Sequence, residues 1–215
     1  MSNKTPLSKI VIASGNAGKI AEIEHALTND TASSDLELIS QKQFDYPEAV
    51  EDGLSFIENA IIKARHAARH TQLPALADDS GIVVDYLNGA PGIYSARFAG
   101  PDASDADNVA KLLNELNNAS ESQRSAYFYC ALAFVRHADD PTPIIAEGIW
   151  HGQIATQTSG NQGFGYDPVF YIPSQQCSAA ELSKSDKNKL SHRGQALEKF
   201  AALFHTTFQQ TLTQS

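Results

Sequence analysis

The chain has 215 residues, 42% hydrophobic and 19% charged, which is enough to bury a sizeable core as one large domain or as two lobes sharing one. Its formal net charge of -9 argues against duplex nucleic acid or an anionic membrane as the main partner. The start is too polar for a signal peptide, no apolar run approaches membrane-spanning length, and Cys130 and Cys177 show no metal-ligand spacing or disulfide pattern. We therefore expect a cytoplasmic protein with two free thiols.

Near the start of the chain, residues 9–14 form a short apolar run, followed by a glycine-rich stretch over residues 15–19 and a helical pattern to residue 27. This order predicts a strand, a turn and a helix. A helix N-terminus offers unpaired N–H groups and the positive end of the helix dipole, and Lys19 adds a full charge, so the turn suits a phosphate. Its spacing is not that of a Walker A loop, and a plain strand-to-helix turn is the alternative interpretation.

A long helix is predicted from about residue 55 to residue 70, after a polar loop over 31–35, a strand over 36–39 and an irregular acidic connection. Asn59 and Lys63 are assigned to the side opposite the buried stripe, and Lys63 follows Asn59 by one turn. The apolar positions that form one buried stripe are Ile57, Ala60, Ile61, Ala64, Ala67 and Ala68.

Two adjacent carboxylates, Asp78 and Asp79, follow an apolar approach and precede Ser80 and Gly81. Such a pair is costly near apolar side chains unless a cation or a basic group neutralises it. Successive strand side chains point to opposite faces, so one Asp is predicted to be catalytic and the other to support it. We expect a Ser-Gly turn here and a returning strand over residues 82–86; a polar hairpin turn without function is the alternative.

In the middle of the chain, the periodic apolar residues of 105–116 predict a helix that packs on the core. Residues 124–135 become almost wholly apolar, which predicts a central strand covered on both faces, with 144–154 as its antiparallel neighbour. A second glycine-rich loop over residues 160–168 then precedes a strand over 169–172. In this loop Phe164 offers a stacking face to a nucleobase, and a buried aromatic plug is the alternative.

The last part of the chain is predicted to be helical over residues 179–182, 185–190 and 195 to about 211. The basic residues Lys187, His192 and Arg193 can donate hydrogen bonds to carbonyl or phosphate oxygens. The tail over residues 209–215 is expected to fray.

Five motifs, in this order along the chain, resemble the inosine triphosphate pyrophosphatase family, and its bacterial branch most. They lie at residues 14–19, 56–60, 76–81, 163–168 and 191–194 and together span nearly the whole chain. The resemblance implies an α/β fold: an elongated mixed sheet flanked by helices, with two lobes and an active-site cleft between them, in a single domain that usually forms a homodimer.

The resemblance also implies Mg²⁺-dependent hydrolysis of non-standard purine nucleoside triphosphates, ITP, dITP and XTP, to the monophosphate and pyrophosphate. It places the general base and a metal ligand at Asp79 and a second metal ligand at Glu51. The residues that the resemblance implies as substrate contacts are Ser14, Gly15, Asn16, Ala17, Gly18, Lys19, Ser80, Phe164, Gly165, Tyr166, Asp167, Lys187, His192 and Arg193. A nucleotide-binding sensor without turnover and a phosphohydrolase that attacks the terminal phosphate are the alternatives.

Overall fold

The computed structural model describes residues 9–28 and 36–209, and seven strands and five α-helices lie in these ranges. The strands form one mixed sheet in the order β2-β1-β3-β4-β5-β6-β7, which confirms the predicted α/β class. The strands are β1 Lys9–Ala13, β2 Glu37–Ser40, β3 Ala75–Val84, β4 Ser125–Val135, β5 Ile144–Ile154, β6 Phe170–Ile172 and β7 Cys177–Ser178. The helices are α1 Ala17–Thr28, α2 Phe56–Thr71, α3 Asp105–Glu115, α4 Lys184–Leu190 and α5 His192–Gln209.

The chain forms two compact units. The first comprises the described residues up to Asp79, together with Ala131–Ala146 and α5 from Leu197 onward. The second comprises Ser80–Cys130 and Glu147–Ala196. Strand β1 runs parallel to both β2 and β3 in the first unit, whereas β6 is antiparallel to β5 and β7 in the second.

Helix α2 forms because its ends are well capped and one of its faces is made of small apolar residues. The Ser55 hydroxyl accepts a hydrogen bond from the Glu58 N–H, and Gln72 ends the helix in the left-handed conformation with φ of 57°. Four alanines of the predicted stripe are buried, while Ile57 and Ile61 are half-buried. The alanines allow close packing of α2 in the first unit, where it contacts β1.

The turn predicted after the two carboxylates is wrong. Strand β3 continues without interruption through Ser80 and Gly81 to Val84, and neither residue has a positive φ. Beyond the polar residues the Ile82 N–H donates to the Ser95 hydroxyl at 2.9 Å and the Val84 N–H donates to the Ala90 carbonyl at 3.2 Å, so the backbone of the strand stays hydrogen-bonded. Asp78 and Asp79 therefore lie inside a strand that is buried on both sides of them.

The second unit has its own apolar core, built from α3 and from strands β4 to β6. The core includes Leu112, Leu116, Phe128, Trp150 and Phe170, as the periodic pattern of α3 predicts. Fully burying side chains of this size contributes about 1.5–3 kcal/mol each before the entropy cost of ordering them.

Smaller differences concern the end of the chain. Helix α5 begins at His192, three residues before the predicted start, and the predicted helix over 179–182 is a short 3-10 turn, Ala179–Glu181. The expected polar loop over 31–35 lies outside the described residues, as do residues 210–215 of the tail that was expected to fray over 209–215, whereas Gln209 ends α5. Both cysteines are free, as predicted. Within the described ranges, no helix combines the length and apolar character needed to cross a membrane.

Candidate active site

In the first unit, three carboxylates and two lysines form what we call the carboxylate cluster: Glu51, Asp78, Asp79, Lys19 and Lys63. The Lys63 ammonium lies 2.8 Å from Asp79 Oδ1 and 3.1 Å from Glu51 Oε2. The Lys19 ammonium lies 3.2 Å from Asp78 Oδ2. The two neighbouring carboxylates thus have different cations, as expected for strand side chains that point to opposite faces.

Burial and charge shift the proton affinities in this cluster. Burial raises the pKa of the Asp79 carboxyl above its ordinary value, and the positive charges of Lys63 and Lys19 offset only part of that rise. Burial lowers the pKa of Lys63, but the charges of Asp79, Asp78 and Glu51 outweigh it and leave the pKa raised. Lys63 therefore stays protonated at neutral pH, and Asp79 has the stronger basicity that suits a general base.

Asn59 connects the carboxylate cluster to the loop that precedes α2. Its side chain is fully buried, with the Nδ2 amide donating to Asp79 Oδ2 at 3.4 Å and Oδ1 accepting from the Gly53 N–H at 2.9 Å. A Cβ at position 53 would lie 2.7 Å from Asn59 Oδ1, so only glycine permits this approach. The assignment of Asn59 to the outer side of α2 is wrong, because its amide hydrogen-bonds both to the loop at Gly53 and to Asp79 in β3.

The phosphate-suited turn, residues 14–19, forms the N-terminus of α1. Asn16 caps the helix, because its Oδ1 accepts from the Lys19 N–H at 3.1 Å. Ser14 is buried, and its hydroxyl accepts from the Asn16 N–H at 3.3 Å. The first turn of α1 carries no acidic residue, which keeps its positive end suited to an anion. Gly15, Ala17 and Gly18 lie at this end, as the motif predicts.

In the second unit, Phe164 lies against the cations of Lys187 and Arg193. These three residues and Asp167 make up what we call the Phe164 cluster. The Lys187 ammonium is 4.8 Å from the centre of the Phe164 ring, and the Arg193 guanidinium carbon is 5.9 Å from it. Lys187 forms an ion pair with Asp167, and both side chains are largely buried. Phe164 is half-buried, so part of this residue stays exposed.

Arg193 and His192 are held in fixed orientations beside this cluster. Arg193 is 2% exposed, and its Nη2 donates to the Ser80 hydroxyl at 2.9 Å. The His192 ring stacks on Phe128 with 4.7 Å between ring centres and 11° between planes. Packing of this kind sets the direction in which each donor points before any ligand arrives.

Several polar groups of the second glycine-rich loop hydrogen-bond to other protein groups and so hold the loop in shape. Asp167 is 2% exposed, and its Oδ2 accepts from the Phe164 N–H at 2.8 Å. The Gly165 N–H donates to Asp105 Oδ2 at 2.7 Å, and the buried Tyr166 hydroxyl donates to the Ser95 carbonyl at 2.8 Å. Gly163 has φ of +78° and sits against Asp167, so no other residue fits there. The structure thus uses Asp167 and Tyr166 to shape the loop around Phe164.

Comparison with known proteins decides the family. The sequence model of the Ham1 family matches residues 10–203. The chain belongs to the Ham1 family. This result confirms the resemblance on which the sequence analysis relied.

Individual relatives match this Ham1 family member over nearly its whole length. A protein of Idiomarina loihiensis named dITP/XTP pyrophosphatase is 56% identical over 189 residues, which are 88% of this chain and 94% of that protein. A Vibrio cholerae protein of the same name is 54% identical over 193 residues, 90% of this chain and 94% of its own. The solved structure of a HAM1 protein from Coxiella burnetii superposes with a TM-score of 0.85 at 48% identity and covers 92% of this chain and 98% of its own.

The carboxylates of this Ham1 family member fit the magnesium ion that the family resemblance implies. Across residues 9–28 and 36–209, no three or more His, Cys, Asp or Glu side chains are arranged to hold a metal ion. Mg²⁺ usually takes only one or two protein carboxylates and completes its octahedron with water and substrate phosphates. Asp79 and Glu51 fit that requirement, because both already contact one cation, the Lys63 ammonium.

The sequence of this Ham1 family member did not reveal two residues that hold the candidate site in shape, Asn59 and Asp105. Asn59 was placed on the wrong face, although a polar residue directly before the buried Ala60, one turn ahead of Lys63, was the available signal. Asp105 was interpreted only as the start of a helix, whereas it also accepts a hydrogen bond from the Gly165 N–H. No local pattern in the sequence indicates that second contact.

Proposed function

We propose that this protein hydrolyses dITP, XTP and ITP to the nucleoside monophosphate and pyrophosphate in a Mg²⁺-dependent reaction. The observation that carries the proposal is the identity of 56% and 54%, over 88% and 90% of the chain, to proteins named dITP/XTP pyrophosphatase. The two clusters support it, because one suits charged phosphates and the other suits an aromatic base.

Residues of the first unit are assigned to the phosphates and the attacking water. Asp79 and Glu51 would hold Mg²⁺, which when bound draws charge from phosphate oxygens and favours ionisation of water. Asp79 also accepts the proton of the water that attacks the α-phosphorus, a role that suits a carboxylate within hydrogen-bond distance of that water. Lys19 and the N-terminus of α1 stabilise the negative charge that grows on the departing pyrophosphate.

Residues of the second unit are assigned to the purine. Phe164 offers a ring face for stacking, and Lys187, His192 and Arg193 present mainly hydrogen-bond donors. Donors suit the 6-oxo group of hypoxanthine and xanthine and leave the 6-amino group of adenine without an acceptor. The side chains of Asp167 and Tyr166 hold the loop in shape, and Ser80 orients Arg193.

Product analysis tests the proposal. The purified protein is incubated with dITP, XTP, ITP, GTP and ATP, with Mg²⁺ or with a chelator, and the products are separated by anion-exchange chromatography. Monophosphate plus pyrophosphate from the first three substrates, only with Mg²⁺, is the expected result. Diphosphate plus inorganic phosphate would identify a phosphohydrolase of the terminal phosphate, and binding without turnover would identify a sensor.

We also propose that the active form is a cytoplasmic homodimer. The family resemblance supports the dimer, and the two free thiols support a cytoplasmic location. Light scattering coupled to gel filtration should give twice the monomer mass. A monomer mass at micromolar concentration, with full activity, would contradict the dimer.

A further inference from the structure

Lys63 lies where the two proposed metal ligands converge. Its ammonium is within 2.8 Å of Asp79 Oδ1 and 3.1 Å of Glu51 Oε2, and its side chain is only 15% exposed. Lys19, the other cation of the carboxylate cluster, pairs instead with Asp78. The chain therefore places one lysine specifically between the two carboxylates that the proposed function assigns to Mg²⁺.

We propose that Lys63 is a built-in counter-ion that holds the position between Glu51 and Asp79 until substrate and metal arrive, and that it must withdraw for the metal to bind. The inference rests on the proposed Mg²⁺-dependent function. Carboxylate oxygens bind Mg²⁺ at about 2.0–2.1 Å, and a site of that size has no room for an ammonium between the same oxygens. Lysine suits this role because its charge sits on a flexible four-carbon stem.

The backbone segments that carry the two carboxylates are held by contacts that do not involve Lys63. Glu51 belongs to the loop before α2, and that loop is tied down by the hydrogen bond from the Gly53 N–H to Asn59 and by a 2.6 Å contact between His66 Nε2 and the Pro47 carbonyl. Asp79 is fixed by β3, and its Oδ2 accepts from Asn59. Removal of the lysine charge should therefore leave Asp79 and the backbone at Glu51 in place, with the Glu51 carboxylate able to turn toward a metal ion.

This arrangement has a consequence for the order of binding. With Lys63 in position, the cluster has two ammonium groups for three carboxylates, so little negative charge remains to attract a divalent cation. An incoming triphosphate supplies new acceptors for the Lys63 ammonium, and its withdrawal exposes Glu51 and Asp79. Metal binding should therefore be weak without nucleotide and should strengthen when nucleotide is present.

The test measures Mn²⁺ binding to the nucleotide-free protein at pH 8 by electron paramagnetic resonance, with no turnover involved. Lys63→Met keeps the length of the side chain and removes its charge, and we expect Mn²⁺ to bind at least ~10-fold more tightly than in the parent. Lys63→Arg keeps a cation between the carboxylates and should bind as weakly as the parent. Lys19→Met is the matched control: it removes one charge beside Asp78 and should strengthen binding less than ~3-fold.

Two results would overturn the inference. The first is a Mn²⁺ affinity of Lys63→Met no greater than that of the parent, which includes the case in which neither protein binds Mn²⁺ measurably. The second is an equal gain of Mn²⁺ affinity in Lys19→Met, because such a gain would reflect net charge alone. Circular dichroism confirms that each variant is folded. The proposed function is judged separately by hydrolysis of dITP by the parent. Hydrolysis without the Mn²⁺ effect refutes only the counter-ion role, and the Mn²⁺ effect without hydrolysis refutes only the proposed function.

Discussion

Replacing Asp79 with Asn should abolish turnover and leave the fold intact. The substitution keeps the shape of a side chain that is 7% exposed but removes its charge and one of its two acceptor oxygens. Asp79 now accepts from Lys63 at 2.8 Å and from Asn59 at 3.4 Å, and an amide can serve only one of these donors with oxygen. Without a carboxylate, the attacking water has no base at this position.

The expected losses of catalytic activity and of stability follow from these contacts. General base catalysis contributes at least ~100-fold, so kcat/KM should fall by that factor or more, which corresponds to about 2.7 kcal/mol. The fold should change little, because Lys63 keeps Glu51 at 3.1 Å and the burial that raises the pKa of Asp79 already disfavours its charge. We expect the free energy of unfolding to fall by about 1–3 kcal/mol, because one buried donor loses its acceptor, while the unfolding transition stays cooperative.

The assay compares kcat/KM for dITP at saturating Mg²⁺ in the parent, Asp79→Asn and Asp78→Asn, with thermal unfolding of each. Asp78 is the control because it is also buried but pairs with Lys19. Near-normal turnover by Asp79→Asn together with an inactive Asp78→Asn would mean that the two faces of β3 have been assigned backwards.

Three further predictions concern the bond that is broken, the choice of base and acid stability. Hydrolysis in heavy-oxygen water should place the label in the monophosphate, as measured by mass spectrometry; label in pyrophosphate or inorganic phosphate would rule out attack at the α-phosphorus. Because an unpaired buried donor costs ~1–3 kcal/mol, two such mismatches should reject ATP by roughly 30-fold or more, and Arg193→Ala should lower kcat/KM for ITP far more than for ATP. Equal losses would make Arg193 a phosphate or structural residue. Hydrogen bonds from Arg136 and Thr142 hold the pKa of Asp140 well below its ordinary value, so its stabilising effect is present above about pH 4 and is lost as the pH falls further. Asp140→Asn should cost about 2 kcal/mol at pH 7 in denaturant titrations, and an equal cost at pH 2 would contradict this account.

Local sequence determined the elements that carry the candidate site. Alternation, helical periodicity and glycine placement correctly predicted β1, α1, α2, α3 and β4, because the apolar pattern of each matches the faces that it buries. The same local signals located the phosphate-suited turn and the loop around Phe164. The five family motifs then connected these pieces to a family, which the match over residues 10–203 confirms.

The path of β3 was decided only by tertiary structure. Ser80 and Gly81 favour a turn in isolation, yet the strand continues through them, because hydrogen bonding and burial outweigh local preference. A strand that continues places Asp78 and Asp79 inside the fold, where each needs its own lysine.

The roles of individual side chains also required the tertiary structure. Asn59 faces inward because Gly53 and Asp79 offer it partners on two other elements, and Asp167 faces its own loop because Lys187 and the Phe164 N–H lie beside it. Arg193 reaches a hydroxyl 113 positions earlier in the chain. Pairings over such separations depend on which elements the fold brings together, and a buried polar group takes whichever partner lies within hydrogen-bond distance. Residue types and spacing alone therefore indicated the candidate side chains, whereas tertiary packing decided which of them contact one another.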